Sequence, residues 1–472
     1  MEDIKYDFGM IGLGVMGSNL LLNMADHGFS VIGYDTNPVK TKAFESSATE
    51  GTKVKGVNTL EEMIAQLKTP RKLMMLVPAG NPVDSVIKDL KPLLQKGDII
   101  IDGGNSHYTD TLRRINELKD IGFHFMGIGI SGGEEGARKG PSIMPGGDLE
   151  AYNEVAPLLK AVAAKVNNEP CVGYLGKDAA GHYVKMVHNG IEYSIMQLIS
   201  ECYDLMRNGM QFSNEELHQV FKDWDSGEMK SFLLEITAAI FEKKDDKTAN
   251  FLVDMILDKA GAKGTGKWTS QAGFDLPMPV PTIDAAVMMR NLSSLIDERN
   301  EADSIYNTSM QKIDIAKEEF IQLLHDALYF ATLISYAQGL AMLTTASSEL
   351  KMDIPLPEVI SVWRGGCIIR SALLDQFKDA YKNADLKNLL LDEHISKLLQ
   401  QKESALQKIV SLAAGNNYPA AGLMASFNYY NAYRRKLLPT NLIQAQRDFF
   451  GTHTYQRIDE AGIFHTEWGQ VS

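Results

Sequence analysis

Four polar residues with helical spacing are the first candidates for chemistry in this chain. They stand at i, i+3, i+4 and i+7, and they are Lys185, His188, Asn189 and Glu192. This spacing puts a cation, two hydrogen-bonding groups and a carboxylate on one stripe of a single helix. A solvated charged face has the same spacing, but such faces usually repeat Lys–Glu pairs and this one does not. The stripe is therefore a candidate active site, with the solvated face as the alternative.

A glycine pattern near the N-terminus predicts dinucleotide binding. An apolar strand runs through G-x-G-x-x-G into a helix, and a second strand ends at Asp35, 18 residues after Gly17. The glycines allow a tight turn, close approach of the backbone to a pyrophosphate and close packing of the helix. The residues predicted to contact the nucleotide here are Gly12, Leu13, Gly14, Val15, Met16 and Gly17.

Asp35 bears on which nucleotide binds. A carboxylate at the end of the second strand can accept a hydrogen bond from the ribose 2′-hydroxyl of NAD, and it repels the 2′-phosphate of NADP. Thr36 and Asn37 supply no cation, and the nearest cations are Lys40 and Lys42. The sequence therefore predicts NAD. Asp35 can instead cap the helix that follows, and the two roles are compatible.

Three further glycine-rich segments are candidates for anion contacts. Segments 102–106 and 130–134 each follow an apolar strand, and strand-end loops of a parallel sheet lie at the ligand crevice. Their glycines let backbone N–H groups approach an anion. Segment 263–268 resembles half of a Walker A sequence but lacks its strand–loop–helix context. We therefore predict that it contacts a phosphate or carboxylate and does not hydrolyse nucleotides.

Sequence periodicity divides the chain into three parts. Strands are predicted at 8–11, 30–34, 72–77, 98–102 and 124–128, alternating with amphipathic helices. This alternation predicts a parallel, doubly wound Rossmann-like sheet. Helical periodicity dominates after Gly181. We predict an α/β dinucleotide-binding domain over 1–178, an all-α domain over 179–437, and a C-terminal tail over 438–472 that packs on another surface.

The helical part contains two similar stretches. Residues 188–189 resemble 325–326 at an offset of 137, and Trp224 matches Trp363 at an offset of 139. Internal duplication explains both offsets, and a chance match between amphipathic helices is the alternative. Glutamine and tyrosine replace the lysine and glutamate of the stripe in the second stretch. A second copy is therefore predicted to be structural.

Composition excludes several classes of protein. The chain has 44% hydrophobic and 23% charged residues, as expected for a globular protein, and its net charge of −13 argues against nucleic-acid binding. Its 3 cysteines form no C-x-x-C pair, which argues against a disulfide scaffold or zinc site. We find neither a signal peptide nor an uninterrupted apolar run of about 18 residues. The sequence thus predicts a cytoplasmic protein without membrane spans.

Several segments, taken in order, resemble decarboxylating 6-phosphogluconate dehydrogenase over essentially the whole chain. They are 12–17, 103–105, 131–138, 181–193, 263–268 and 447–453. Several are particular to that family and are not shared by dinucleotide-binding proteins at large. The resemblance implies oxidative decarboxylation of 6-phospho-D-gluconate to D-ribulose 5-phosphate and CO2, with reduction of a nicotinamide dinucleotide.

The resemblance also implies roles for single residues. Lys185 is the expected general base for the 3-hydroxyl and, once protonated, polarises the ketone, while Glu192 is expected to protonate C1 of the enediol. The expected contacts to the sugar acid and its phosphate are Asn105, Ser131, Gly132, Gly133, His188, Asn189, Tyr193, Lys263, Thr265 and Arg290. Asn105 also matches a cofactor contact. Arg447 and His453 match tail residues that enter the active site of the other subunit of a homodimer. The resemblance therefore implies that 179–437 is a substrate and dimerisation domain and that the tail, 438–472, packs on the partner subunit. The family requires no metal.

The chain departs from the family at the adenosine end of the nucleotide. The family commonly has Asn-Arg-Thr where this chain has Asp35-Thr36-Asn37, and Val-Lys-Ala where it has Val77, Pro78 and Ala79. Two cations are missing and a carboxylate is added. The sequence therefore predicts an NAD-preferring member of the family, with NADP as the alternative cofactor.

Two other functions compete with this one. A β-hydroxyacid dehydrogenase for another small acid would share the glycines and Lys185, but it would not need a second helical half. A non-catalytic nucleotide-sensing protein would have little reason to keep both Lys185 and Glu192. The sequence has both the second helical half and the pair Lys185 and Glu192, so it favours neither alternative.

Overall fold

The computed structural model describes residues 5–307 and 309–469. Residues 1–4 of the predicted first domain, 308 of the second and 470–472 of the predicted tail lie outside the described residues. The strands are β1 (Phe8–Ile11), β2 (Val31–Tyr34), β3 (Val54–Val57), β4 (Lys72–Met75), β5 (Ile99–Asp102), β6 (His124–Ser131), β7 (Ser142–Gly147), β8 (Lys165–Val166) and β9 (Glu169–Pro170). The helices among them are α1 (Val15–Asp26), α2 (Pro38–Ser46), α3 (Leu60–Gln66), α4 (Asn81–Leu90), α5 (Tyr108–Lys119), α6 (Gly133–Lys139) and α7 (Leu149–Val162).

Within the described residues, β1 to β7 form one sheet in the order β3-β2-β1-β4-β5-β6-β7. The first six strands of this sheet run parallel. This is the strand order of a dinucleotide-binding sheet. The predicted fold class, a Rossmann-like domain followed by a large helical domain, is therefore confirmed.

The last strand corrects the prediction of a parallel sheet. β7 pairs antiparallel to β6, with Ser131 opposite Ser142. A parallel neighbour needs a crossover of a dozen or more residues, and only the 7-residue helix α6 stands between these two strands. The chain therefore turns back along the same edge. Pro145 lies inside β7, which an edge strand tolerates.

The five predicted strands fall on β1, β2, β4, β5 and β6. Strands β3 and β7 of this sheet were not predicted from the sequence, and neither were the two-residue strands β8 and β9. Strand β3 has the sequence VKGV, and β7 has the sequence SIMPGG. Glycine, proline and lysine are all depleted in strands. These two segments pair because they lie beside strands already formed.

Helices make up most of the second part of the chain. They are α8 (Ala180–Asp204), α9 (Asn214–Ser226), α10 (Phe232–Glu242), α11 (Thr265–Asp275), α12 (Pro281–Ser293), α13 (Ile296–Tyr306), α14 (Lys317–Glu349), α15 (Leu356–Trp363), α16 (Leu373–Ala380), α17 (Glu393–Gly415), α18 (Ala421–Tyr433) and α19 (Thr440–Gly451). A π-helical turn, Leu205–Gly209, continues α8, and 3-10 turns lie at Leu252–Met255 and Leu389–Leu391. Because α8 begins at Ala180, we propose the domain boundary at 178, as the sequence suggests.

Helix α14 is the centre of the helical core. It packs against α8, α17 and α18. Among the described residues it is the one helix long and apolar enough to cross a membrane, although the sequence analysis found no such run. Of its most apolar 18-residue window, 94% is buried inside the protein. It is therefore the core helix of the second domain.

Glycines let the start of α8 lie directly on the sheet. A Cβ at Gly129 of β6 would collide with the Cβ of Lys185, and a Cβ at Gly181 would collide with the carbonyl oxygens of Gly127 and Met144. Side chains at these positions would therefore push the helix off the strands. The close approach carries Lys185 to the carboxyl end of β6.

Ring contacts support the internal duplication. The imidazole of His188 meets the indole of Trp363 edge to face, with centroids 5.9 Å apart. The matching pair, His325 and Trp224, has the same geometry with centroids 5.8 Å apart. Each histidine thus packs on the tryptophan of the other copy. A chance sequence match does not predict this exchange.

The tail forms a helix that the sequence analysis did not predict. Helix α19 spans Thr440–Gly451, and only Asp448 of its residues is buried. A short antiparallel bridge joins Tyr455 and Phe464 beyond it. Most apolar side chains of α19 face solvent, which explains why the segment shows little periodicity.

Candidate active site

Lys185 is the central cation of the site. Its side chain is buried on α8, at 7% exposure. Burial lowers the pKa of Lys185, and the nearby Glu192 carboxyl and Cys367 thiol oppose that shift only in part. A lowered pKa increases the fraction of neutral amine near neutral pH. The solvated-face alternative is therefore wrong for this part of the stripe.

His188 is held as a neutral imidazole. It is fully buried, and burial together with the charge of Lys185 sets its pKa well below 6.5. Its Nδ1 lies 3.0 Å from Asn189 Oδ1, and its Nε2 lies 3.5 Å from Ser131 Oγ. With the proton placed on Nδ1, the ring donates to Asn189 and can accept at Nε2.

Glu192 is shifted in the opposite direction to Lys185. Burial raises the pKa of Glu192, and the charges of Lys185 and Arg290 counteract this in part. The carboxylate lies 3.8 Å from His188 Nδ1. A buried amine with a lowered pKa and a carboxyl with a raised pKa therefore share one helix face. Pairs whose environments move their pKa values in this way are the usual basis of acid–base assignments.

The segment 263–268 joins α8 from the other side. The amide of Asn189 donates to Thr265 Oγ1 at 3.0 Å, where α11 begins. Gly266 packs on the ring of Tyr193 so closely that a Cβ would collide with it. Lys263 is exposed on the loop before α11. The loop and helix predicted to hold an anion therefore lie beside the stripe.

Arg290 stacks on Tyr193. Its guanidinium carbon lies 3.6 Å from the ring centroid, and Nη1 donates to the carbonyl of Gly261 at 2.9 Å. Burial lowers the pKa of Arg290, although the guanidinium stays charged. The structure thus brings a cation to the Glu192 end of the stripe.

The second copy of the repeat contributes to the site. Gly132 has φ +122°, and a Cβ there would meet the carbonyl of Gly366 at 2.6 Å. Trp363 packs on His188, and Cys367 lies near enough to Lys185 to affect its pKa. The sequence predicts a purely structural second copy, so these residues were not among its candidate site residues. The recurrence of Trp224 as Trp363 was the signal that could have found them.

The nucleotide turn has the geometry its glycines predict. Gly12 has φ +94°, and a Cβ there would meet the Leu76 carbonyl oxygen at 2.6 Å. A Cβ at Gly17 would collide with the Gly12 carbonyl, so α1 packs tightly on the turn. Gly14 has nothing within 4 Å of its Cβ position, so the backbone before α1 is open to a phosphate. Val15 and Met16 begin that helix.

Comparison with known proteins identifies the family. The pattern of the "NAD binding domain of 6-phosphogluconate dehydrogenase" matches residues 7–176, and that of the "6-phosphogluconate dehydrogenase, C-terminal domain" matches 181–468. The chain belongs to the 6-phosphogluconate dehydrogenase family. Its two matched segments meet at the start of α8.

Individual relatives cover nearly the whole chain. A Bacillus subtilis (strain 168) protein named "6-phosphogluconate dehydrogenase, NADP(+)-dependent, decarboxylating" is 49% identical over 98% of this chain and 99% of its own. An Escherichia coli (strain K12) relative named "6-phosphogluconate dehydrogenase, decarboxylating" is 47% identical over the same shares. The solved Plasmodium falciparum 6-phosphogluconate dehydrogenase superposes with a TM-score of 0.95 at 45% identity, covering 98% of this chain and 100% of that one. None of these comparisons confirms the predicted preference for NAD.

At the adenosine end, Asp35 is tied to the backbone. Its Oδ2 accepts from the Leu13 N–H at 2.8 Å, and its Oδ1 accepts from the Asn37 N–H at 2.9 Å. Asn37, and not Asp35, caps α2 by accepting from Val39. Lys40 Nζ lies 3.7 Å from Asp35 Oδ2. The alternative in which Asp35 caps α2 is therefore wrong, because Asn37 is the cap. Lys40, one of the two nearest cations in the sequence, lies beside the Asp35 carboxylate.

A buried network holds the loop that carries Asn105. Asn105 is exposed after β5, while Asp102 accepts from Ser106 Oγ at 2.6 Å. Arg114, 1% exposed, donates to Asp84 on α4 and to the carbonyl of Gly80 at 3.1 Å. Val77, Pro78 and Ala79 lie on the loop just before Gly80. Arg114 Nη1 also lies 3.5 Å from Asp102 Oδ2, so this guanidinium links both predicted cofactor loops. It lies inside an amphipathic helix, so its role has no sequence signal.

The structure does not bring the two tail residues to the stripe of their own chain. Arg447 Nη1 donates to Gln444, and the His453 ring packs on Phe450. Within the described residues, no hydrogen bond, ion pair or ring contact joins either side chain to α8. That they act in the site of another subunit therefore stays a prediction.

One cluster has metal-ligand geometry. The ligand atoms of Glu228, His325 and Asp326 lie within 4.8 Å of one another. Lys402 Nζ, however, donates to both carboxylates of this cluster at 2.7 Å. The lysine ammonium therefore balances the negative charge of this cluster. His325 and Asp326 of the cluster are the residues that match His188 and Asn189 of the stripe.

Proposed function

We propose that this chain oxidises and decarboxylates 6-phospho-D-gluconate to D-ribulose 5-phosphate and CO2. The observation that carries this proposal is the pair formed by Lys185 and Glu192, whose pKa values burial shifts in opposite directions on one helix face. The relatives, which carry the name of this activity over almost the whole chain, support the same reaction.

Lys185 acts first as the base. Its neutral amine takes the proton of the 3-hydroxyl, and a bound nicotinamide supplies the acceptor for the hydride that leaves C3. The open backbone at Gly14 and the start of α1 fit the pyrophosphate of such a nucleotide. The protonated Lys185 then donates to the C3 oxygen, so the ketone can accept the electron pair of the breaking C1–C2 bond.

Glu192 completes the reaction as the acid. Loss of CO2 leaves an enediol, and the protonated carboxyl delivers its proton to the carbon that becomes C1 of the product. Lys185 takes back the proton of the enediol oxygen as the new ketone forms. The raised pKa keeps Glu192 protonated to higher pH than an exposed glutamate.

Initial-rate kinetics with 6-phosphogluconate, recording CO2 release together with nucleotide reduction, test this proposal. We expect one CO2 for each reduced nucleotide. Nucleotide reduction without CO2, or equal kcat/KM for unphosphorylated gluconate, would instead support the β-hydroxyacid dehydrogenase alternative.

For the cofactor, NADP is the better supported candidate. The Bacillus subtilis relative is named as NADP(+)-dependent, and the Plasmodium falciparum structure is described in complex with NADP+. Lys40 beside Asp35 offers this chain a cation for the 2′-phosphate. NAD is the second candidate because Asp35 is buried at the end of β2, where a 2′-hydroxyl could donate to it. The ratio of kcat/KM for the two nucleotides decides between them.

Exchanging the strand-end residues should change that ratio whichever nucleotide the wild type prefers. In the double variant Asp35→Asn, Thr36→Arg we expect a shift of about 100-fold toward NADP. This corresponds to about 2.8 kcal/mol, the scale of one charge-assisted pair gained and one repulsion removed. Val39→Arg, an exposed position on α2, adds a charge nearby and should shift the ratio less than threefold. Equal shifts in the two variants would refute the role of Asp35.

We further propose a homodimer in which each tail reaches the other subunit's site. Exposed apolar side chains on the tail support this, since a monomer gains nothing by leaving them in water. They are Leu442, Ile443, Phe450 and Ile463, which are 56% to 75% exposed.

We also propose that the protein is cytoplasmic. The three cysteines are all buried and unpaired, which supports a reducing compartment such as the cytoplasm.

Mixing two inactive chains tests the shared site. One chain lacks everything after Leu438, and the other carries Lys185→Met with an intact tail. One site of their heterodimer would combine an intact base with an intact tail, so activity should return to as much as about half of that of one wild-type dimer. A chain with both changes is the control and should rescue nothing. Heterodimers shown by mass to form without activity would contradict the shared site.

A further inference from the structure

One buried carboxylate organises the tail. Asp448 is 0% exposed, although the rest of α19 faces solvent. Its Oδ1 accepts from Thr454 N–H and His465 Nδ1, each at 2.9 Å. Its Oδ2 accepts from Thr466 N–H at 3.1 Å and from Trp468 Nε1 at 2.8 Å. Each oxygen therefore serves two donors.

These donors come from two separate segments. Thr454 lies just after the helix, and the other three donors lie on the returning segment that follows Phe464, which bridges to Tyr455. Burial by itself raises the pKa of Asp448, but the bonds from His465, Trp468, Thr466 and Thr454 bring it to about 2. Asp448 is therefore ionised at neutral pH and joins the helix, the turn and the returning segment.

The turn between helix and strand holds His453 in a strained backbone. Thr452 has φ +51° and Thr454 has φ +61°, and both are β-branched residues in the left-handed region. Such conformations persist only where surrounding contacts impose them, and they cluster at functional sites. The N–H of Thr452 donates to the Asp448 carbonyl at 3.0 Å, and that of Thr454 donates to its carboxylate. Asp448 thus bonds to the residues on both sides of His453.

We infer that Asp448 is a positioning residue that fixes His453 and Arg447 in the arrangement in which the tail enters the partner's substrate site. Arg447 precedes it on α19, and both of the positioned side chains are exposed. The inference rests on the proposed shared site. Because the tail is already folded, substrate binding need not pay the entropy of ordering it.

Asp448→Asn tests the inference with little change of shape. An asparagine offers one acceptor oxygen, so its amide would face two donors and leave them without an acceptor. We expect the KM for 6-phosphogluconate to rise about 10- to 100-fold, while kcat and the KM for the nucleotide stay within threefold. A merely structural loss would instead lower the apparent kcat or the amount of dimer, because fewer sites would be folded, and would leave both KM values unchanged.

Two further variants complete the test. Asp459→Asn is the matched control, because this tail carboxylate is exposed and pairs with the exposed Arg457. The KM of this variant should stay within twofold of wild type. If Asp448→Asn does not fold, Trp468→Phe removes a single donor and should raise the KM about 2- to 10-fold. A folded, dimeric Asp448→Asn with a KM within twofold of wild type overturns the inference, as does an unchanged KM in Trp468→Phe.

Mixed dimers separate this inference from the shared site on which it rests. Asp448→Asn chains are combined with Lys185→Met chains, and activity is measured at low substrate concentration. If tails act on the partner, one site regains Lys185 and an intact tail, and its KM returns to the wild-type value. If the KM stays raised while Asp448→Asn alone shows the predicted increase, the shared site is wrong and the positioning role stands.

Discussion

Replacing Lys185 by Met should lower kcat by about 10⁴-fold or more. A positioned general acid or base typically contributes 10²–10⁴-fold, and this residue acts in both oxidation and decarboxylation. A thioether can neither take the hydroxyl proton nor donate one to the ketone. Nucleotide affinity, measured by calorimetry, should stay within threefold, because the nucleotide turn lies on β1 and α1 at the other end of the site.

Lys185→Arg is the control that separates charge from proton transfer. A guanidinium keeps the cation but cannot act as a base near neutral pH. We therefore expect Lys185→Arg to be as inactive as Lys185→Met. Substantial turnover in the arginine variant would mean that this position needs only a positive charge, and wild-type turnover in the methionine variant would refute the base altogether.

Replacing Glu192 by Gln should slow turnover by about 10²–10⁴-fold, the loss typical of a missing general acid. The amide keeps the size of the side chain and cannot deliver a proton. Because Glu192 acts after oxidation, the first turnover should still reduce nucleotide, and rapid-mixing absorbance should show that burst. Product formation would then be the slow step. Loss of the burst to the same degree as turnover would move Glu192 to an earlier step.

Glu201 provides a matched control on the same helix. It is also buried, and its pKa is raised by burial to about 6. Its carboxylate accepts from the N–H groups of Gly422 and Leu423 at 2.7 and 2.9 Å, at the start of α18. Glu201→Gln should therefore affect stability and leave kcat within about threefold. An equal loss of turnover in both variants would mean that burial, and not acid chemistry, explains Glu192.

Local patterns were sufficient for much of the fold. All five predicted strands coincide with strands of the sheet, and the glycine turn before α1 was located from its spacing. The stripe on α8 followed from helical periodicity alone. These features depend on residues within a few positions of each other, so a single sequence contains the information.

The remaining features arise from contacts between distant segments. Strand β7 turns back because the connection is short, and its composition gave no sign of a strand. Arg114 reaches Asp84 and the carbonyl of Gly80, which are 30 and 34 positions away in the chain. Neither arrangement is visible as a periodicity or a motif.

The sequence by itself determined the nucleotide turn, the helical stripe and the family to which both belong, because each is written in residues a few positions apart. The tertiary structure decided which of those groups are buried, and therefore the directions in which the pKa values of Lys185 and Glu192 move. It also placed Trp363 on His188, more than 170 residues away in the chain, and it gathered four donors around Asp448. Burial and long-range contacts are properties of the packed chain, and no local pattern encodes them.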